Sequence, residues 1–358
     1  MYAYYTLYLW KKVQFLSLRY GLFSRSQKNF IISLGFLYQD FILCRYSYHM
    51  SMKNVSKPLF MAAAATAVAG SFGAYLWKAE SRPPILEIYV FNLSGGRSIF
   101  IRTPEDKRYL VDGGFNSQVI REITGILPFY SRRIDGVIAT DTEGRDISGL
   151  IDIIERYDVS DAYIPGITLE VLGIASSSDH IFSTFTETLR RKGVRTHESI
   201  AGDHIRLDNK TDLKVLFPVH QDRFAYSKAS SPEILFDISM GGTSVTFLGD
   251  ASNRVQKFIA STSPLMDKTD VLVISHSALP ANTSPILMGK LHPDYLVYSK
   301  LIRNTSARSG MSSSSKKKAI EDSLARVGDM NRFNLKEEGT IKITSNGRQI
   351  HIVGRSAE

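Results

Sequence analysis

Short apolar runs closed by glycine turns recur through residues 85–354, and they constrain the fold more than any other feature. "EILFDISMGGTSVTFLGD" is two such runs joined by Gly241-Gly242, and "GTIKITSNGRQIHIVG" is two joined by Asn346-Gly347. Two-residue turns of this kind close antiparallel hairpins, because their central positions take positive φ. Upstream, "ILEIYVF" and "RSIFIRT" flank the turn "NLSGG", and "KRYLVDGG" ends in another glycine turn. Between the hairpins the period changes. The strands "IDGVIAT" and "DAYIPG" alternate with the helical segments "QVIREITGILPFY", residues 147–157 and "HIFSTFTETLRRKG". "DHIRL", "LKVLFP", "DVLVISH" and "PDYLVYS" are further strands, and "KKAIEDSLARV" a further helix. Strands outnumber helices. Hairpins near both ends, with strand–helix units between them, predict a mixed α/β fold: two sheets face to face with helices outside, an αββα sandwich.

The first 84 residues have a different character. Residues 1–51 hold eight of the seventeen tyrosines without a helical stripe. Met50 and Met52 offer internal starts, and the expectation is that translation begins at one of them, which leaves residues 1–51 outside the natural protein. The alternative is an amphipathic membrane-surface leader. From Met52, Lys53 and Lys57 precede an uncharged run, Pro58 to Trp77, of the length one bilayer crossing needs. Ala67-Val68-Ala69 resembles a signal-peptidase site. The apolar run continues past it, which favours an uncleaved anchor. Lysines on the near side favour a cytoplasmic amino end. The expectation is one N-terminal transmembrane helix in residues 52–84, a single-pass cell-membrane protein, and an extracytoplasmic domain over residues 85–358.

Charge and cysteine content exclude some classes. The net charge is +9, but six basic side chains and one acidic fall in residues 1–52, leaving +4 for the rest. Bulk charge alone therefore identifies no nucleic-acid partner. The single cysteine, Cys44, excludes an intrachain disulfide and a multi-thiolate metal site. Lys316–Lys318, beside four serines, form a basic loop that is either solvated or in contact with nucleic-acid or lipid phosphates. There is no glycine-rich phosphate loop and no nucleophile elbow.

"VIATDTEGRDISGL", residues 137–150, runs from a strand through an acidic loop into a helix. Loops at the carboxyl ends of strands are where α/β folds place chemistry. Asp146 stands where an N-cap belongs. Asp141, Glu143, Asp146 and Asp250 compose an oxygen-rich site for Mg²⁺, Mn²⁺ or Ca²⁺, or else a solvated loop pairing with Arg145.

Six segments together resemble the metallo-β-lactamase superfamily, in particular the carboxy-terminal hydrolase-like domain of ComEC-type DNA-uptake competence proteins. They are "LEIYVFNLSGGRSIFIRTPEDKRYLVDGG", the 137–150 stretch, "AGDHIRLDNKTDLKVLFP", "TSVTFLGDAS", "TDVLVISHSA" and "GTIKITSNGRQIHI". The resemblance spans Ile85 to Gly354, about three quarters of the chain. It implies a loop of the form Thr-His-x-Asp/His-x-Asp-His-Ile-Gly-Gly-Leu, whose His and Asp side chains hold zinc. Aligned on Ile147-Ser148-Gly149-Leu150, Asp141, Glu143, Arg145 and Asp146 stand at the ligand positions, without an imidazole among them. Arg145 places a permanent cation where a carboxylate should face a metal. The opening turn carries Asn92 and Arg97 at its acidic positions, and Ser230-Ser231 replaces an Asn-Asp pair. Asp112 with Gly113-Gly114 reads as a turn. Asp250 and His276 match ligand positions.

The function expected is a membrane-anchored, non-catalytic binding or scaffolding module without a cofactor, beside a DNA-uptake or envelope system. A protein or nucleic-acid partner is compatible with that. The alternative is a phosphodiesterase-like hydrolase using one or two divalent ions (Zn, Mn or Mg). Asp250, His276 and Asp141 or Glu143 would hold them.

Overall fold

The computed structural model describes residues 84–168, 179–220, 224–226, 232–262, 268–274, 283–299 and 330–355. The expected anchor at Pro58–Trp77, the leader, Ser230-Ser231, His276, the Lys316–Lys318 loop and the helix after it lie outside the described residues. Among the described residues no helix is long and apolar enough to cross a membrane.

Fifteen strands and six helices are described. The strands are β1 Leu86–Val90, β2 Ile99–Arg102, β3 Arg108–Val111, β4 Arg133–Ile138, β5 Asp158–Pro165, β6 Arg195–Ser199, β7 His204–Arg206 and β8 Thr211–Phe217. They continue with β9 Leu235–Met240, β10 Thr243–Phe247, β11 Val271–Ile274, β12 Tyr295–Tyr298, β13 Asn331–Asn334, β14 Thr340–Ser345 and β15 Ile350–Arg355. The helices are α1 Gln118–Thr124, α2 Gly144–Arg156, α3 Asp179–Lys192, α4 Asn253–Thr262, α5 Pro285–Leu291 and α6 Leu335–Glu338.

One sheet has the order β15-β14-β1-β2-β3-β4-β5-β6, the other β13-β12-β11-β10-β9-β8-β7. The alternation read in the sequence explains the layering. In β1, Leu86, Ile88 and Val90 face the other sheet, meeting Val215, Phe236, Val245 and Val273 in a shared core. A second core lies under α1, α2 and α3, where Ile147, Leu150, Ile153 and Ile154 of α2 meet Leu110, Val137 and Phe185. A third packs Val255 and Ile259 of α4 and Leu287 of α5 on Leu235, Leu272 and Leu296. Each large side chain buried this way contributes about 1.5–3 kcal/mol. The order is helix, sheet, sheet, helix.

Both hairpins form. β9 and β10 pair antiparallel around the two-residue turn Gly241-Gly242, but β14 and β15 are joined by four residues, 346–349, rather than by Asn346-Gly347 alone, with Ser345 opposite Ile350. The helix expected over "QVIREITGILPFY" stops at Thr124, with Gly125 as its C-cap and Pro128 beyond. Strands β3 and β4 run parallel, as do β10, β11 and β12. Carboxyl ends from both sheets therefore meet at one rim. A backbone bond from Ile234 N to Thr140 O, 2.6 Å, ties the sheets together there.

Candidate functional site

At that rim lies an ion cluster centred on Arg97. Its Nε donates to Asp112 Oδ2 at 2.7 Å, and its Nη2 donates to Thr140 Oγ1 at 2.7 Å and Asp141 Oδ2 at 2.9 Å. Nη1 lies 2.5 Å from Glu233 Oε1, an ion contact not aligned as a hydrogen bond. Asp146 Oδ2 and Asp250 Oδ1 each stand 3.9 Å from the guanidinium. The Arg97 side chain is 10% exposed.

Each partner is set by its element. Asp112 follows β3 with φ +54°, and its carboxylate also accepts from Thr140 N at 2.8 Å and Thr140 Oγ1 at 2.7 Å. Asp141 follows β4 and accepts from Glu143 N at 2.9 Å, shaping the acidic loop. Glu233, before β9, accepts from Asp250 N through both oxygens at 3.1 Å. Gly249 (φ +47°) permits that approach, since a Cβ there would meet Glu233 Oε1 at 1.7 Å. Helix α2 is pressed against the turn after β3. A Cβ on Gly149 would come within 2.0 Å of Gly113 O.

Asp146 is not the N-cap. The helix starts after Glu143, which makes no side-chain cap bond. Asp146 lies in the first turn, 2% exposed, and its Oδ1 accepts from Arg97 N at 2.9 Å. The backbone N–H of a tight glycine turn is a partner that local spacing does not reveal.

Arg145 sits at the rim. Its Nη2 lies 3.1 Å from both Asp250 Oδ2 and Glu143 Oε2, and its Nε 3.6 Å from Asp146 Oδ2. The guanidinium at the centre is that of Arg97. The structure thus brings Asp141, Asp146, Asp250, Glu143 and Arg145 together, and it adds Arg97, Asp112, Thr140 and Glu233. His276 lies outside the described residues.

Six carboxyl groups face two guanidinium groups, so the cluster is short of positive charge. Burial opposes the charge of Arg97. Glu233, Asp146, Asp112 and Asp141 outweigh it and hold its pKa well above the ordinary value. Burial pushes Glu233 up to about 8, with Arg97 pulling against it and Asp250 adding to it. Burial also pushes Asp112 up to about 6 despite Arg97, and raises Asp141 well above the usual carboxylate range.

A cavity of about 40 Å³ opens beside the cluster between the sheets. Arg97, Asp112 and Glu233 line it on one side and Val90, Phe236, Phe247 and Val273 on the other. Space of that size holds water rather than an organic ligand.

A dication does not fit this arrangement. The oxygens that could ligate it already surround a guanidinium, which cannot be deprotonated in a protein, and a second cation among them would be repelled at contact distance.

Among solved structures, the chain is similar to CmlA, a diiron beta-hydroxylase from Streptomyces venezuelae, at 15% identity and TM-score 0.45. That match covers 74% of this chain and 54% of the other, so the chain spans about half the length of CmlA. It is also similar to Zn²⁺-bound PqqB from Methylobacterium extorquens, at 13% identity, 63% and 80% coverage and TM-score 0.40. The metallo-beta-lactamase SMB-1 matches at 12% identity, 52% and 75% coverage and TM-score 0.35. No family model and no curated protein matches the chain.

Proposed function

We propose that the chain is a membrane-anchored relative of the metallo-β-lactamase superfamily in which an internal arginine has taken the place of the metal centre. It acts by binding or scaffolding and turns over no substrate. The observation that carries this reading is the Arg97 guanidinium, bonded to Asp112, Asp141 and Thr140 and in ion contact with Glu233. The layered fold and the order of its glycine turns support the superfamily. The quoted resemblance to ComEC-type domains supports a place beside DNA uptake or the cell envelope. The uncharged run Pro58–Trp77 supports a single span with the domain outside the cytoplasm.

The second reading is a metal-dependent, phosphodiesterase-like hydrolase. It draws on the six carboxyl groups facing two arginines, and it requires Arg97 to leave its partners. Titration of the detergent-solubilised full chain with Zn²⁺ and Mn²⁺, followed by assay on bis(p-nitrophenyl) phosphate, separates the readings. The proposal expects neither binding heat nor turnover. Turnover that follows metal occupancy and is lost in Asp250→Ala would establish the hydrolase.

A further inference from the structure

We propose that the end of the eight-stranded sheet opposite the ion cluster rests on an anionic bilayer surface through Phe129, Tyr130, Arg132 and Arg133. This rests on the anchor reading of Pro58–Trp77.

The sheet register places these residues. β1 is antiparallel to β2, β2 to β3, and β3 is parallel to β4, so β1, β3 and β4 all begin at one end. The chain enters the described residues at Pro84 and starts β1 at Leu86, with Glu87 opposite Arg102 and Arg102 opposite Arg108. The loop leading into β4 lies at the same end. Arg108 bonds Ser131 Oγ and the Arg133 carbonyl, and Asp158 N donates to Arg132 O at 2.7 Å. Three strand spacings separate β1 from β4, roughly 14 Å. Only seven residues, 78–84, separate Trp77 from Ile85. Fully extended they reach roughly 24 Å, which bounds how far this end of the domain can stand from an anchor that ends at Trp77.

The surface there is unlike a solvated loop. Phe129 is 73% exposed and Tyr130 65% exposed, and the two rings pack edge to face at 5.4 Å without being covered. Ile85, 43% exposed, lies at the same end. These are three of the six exposed large apolar side chains among the described residues. Arg132 and Arg133 follow the aromatic pair after Ser131 and are exposed, Arg133 also pairing with Asp135. Aromatic rings with adjacent arginines suit the headgroup level, where the rings bury their apolar bodies and the cations meet lipid phosphates.

The test uses the full chain, reconstituted into phosphatidylcholine vesicles with and without phosphatidylglycerol. Cys44→Ser with Phe129→Cys carries a nitrobenzoxadiazole label. Cys44→Ser with Ser261→Cys, on α4, carries the same label for comparison. The proposal expects a blue shift and brightening at position 129 on anionic vesicles and none at position 261. Arg132→Gln and Arg133→Gln should each lower the ratio of docked to undocked chains about fivefold. A chain that floats with the vesicles while position 129 reports water contradicts the docked face alone, and leaves the aromatic pair to a protein partner. A chain that does not float contradicts the anchor and the docked face together.

Discussion

Arg97 Nε donates to Asp112 Oδ2 at 2.7 Å, with the arginine side chain 10% exposed and the aspartate 1% exposed. The pair joins the turn before β2 to the end of β3. Around it, Asp141 and Glu233 bring in β4 and the start of β9. One guanidinium thus links both sheets at the rim.

Replacing Arg97 should expose that linkage. Arg97→Met leaves the buried Asp112 carboxylate without its cation, at a cost of about 3–5 kcal/mol in urea unfolding near pH 7. Adding Asp112→Asn should cost less than the sum of the two single changes, because the partner no longer needs the charge. Strict additivity would show that the pair is not coupled.

Arg145→Met should behave differently. Arg145 is 40% exposed, and solvent screens its contacts with Glu143 and Asp250. The expected loss is under about 1 kcal/mol, measured in the same unfolding series.

The acids should make stability fall as pH rises. Glu233 goes from an ordinary 4.5 to about 8 in the folded chain, and Asp112 from 3.8 to about 6. Across those windows the folded state holds protons that the unfolded state has released, so unfolding free energy declines with increasing pH. The urea midpoint should be lower at about pH 8 than at about pH 5.5. Glu233→Gln should remove much of the slope between them. A midpoint that rises over this range would contradict the buried, proton-holding cluster.

Two glycines on helices should respond in opposite directions. Gly149→Ala drives a Cβ into the Gly113 carbonyl and should cost about 1–3 kcal/mol. Gly289→Ala on α5 meets nothing within 4 Å and should stabilise by up to about 1 kcal/mol. Thermal melts of the two variants check this.

Most strands were legible because one face of each is apolar and a glycine or proline closes it. β6, Arg195–Ser199, was not: four of its five residues are exposed, so no alternation marks it. β13, Asn331–Asn334, is equally unmarked: it is four residues long and three of them are polar. The acidic loop was visible as a site because Asp141, Glu143 and Asp146 crowd the end of β4. Its centre was not visible. An arginine after two glycines reads as a surface turn, and only the pairing of β1, β2 and β3 turns Arg97 inward toward Asp112. Glu233 was hidden likewise, since its partner Asp250 lies across a hairpin.

The most direct test of the internal-cation account is metal content. The full chain, dialysed against Zn²⁺, Mn²⁺ or Mg²⁺ and then against metal-free buffer, is assayed by elemental analysis beside Arg97→Ala and Asp250→Ala. The account predicts far less than one ion per native chain, and metal uptake that appears only when Arg97 is removed. Stoichiometric metal in the native chain that disappears in Asp250→Ala would contradict it.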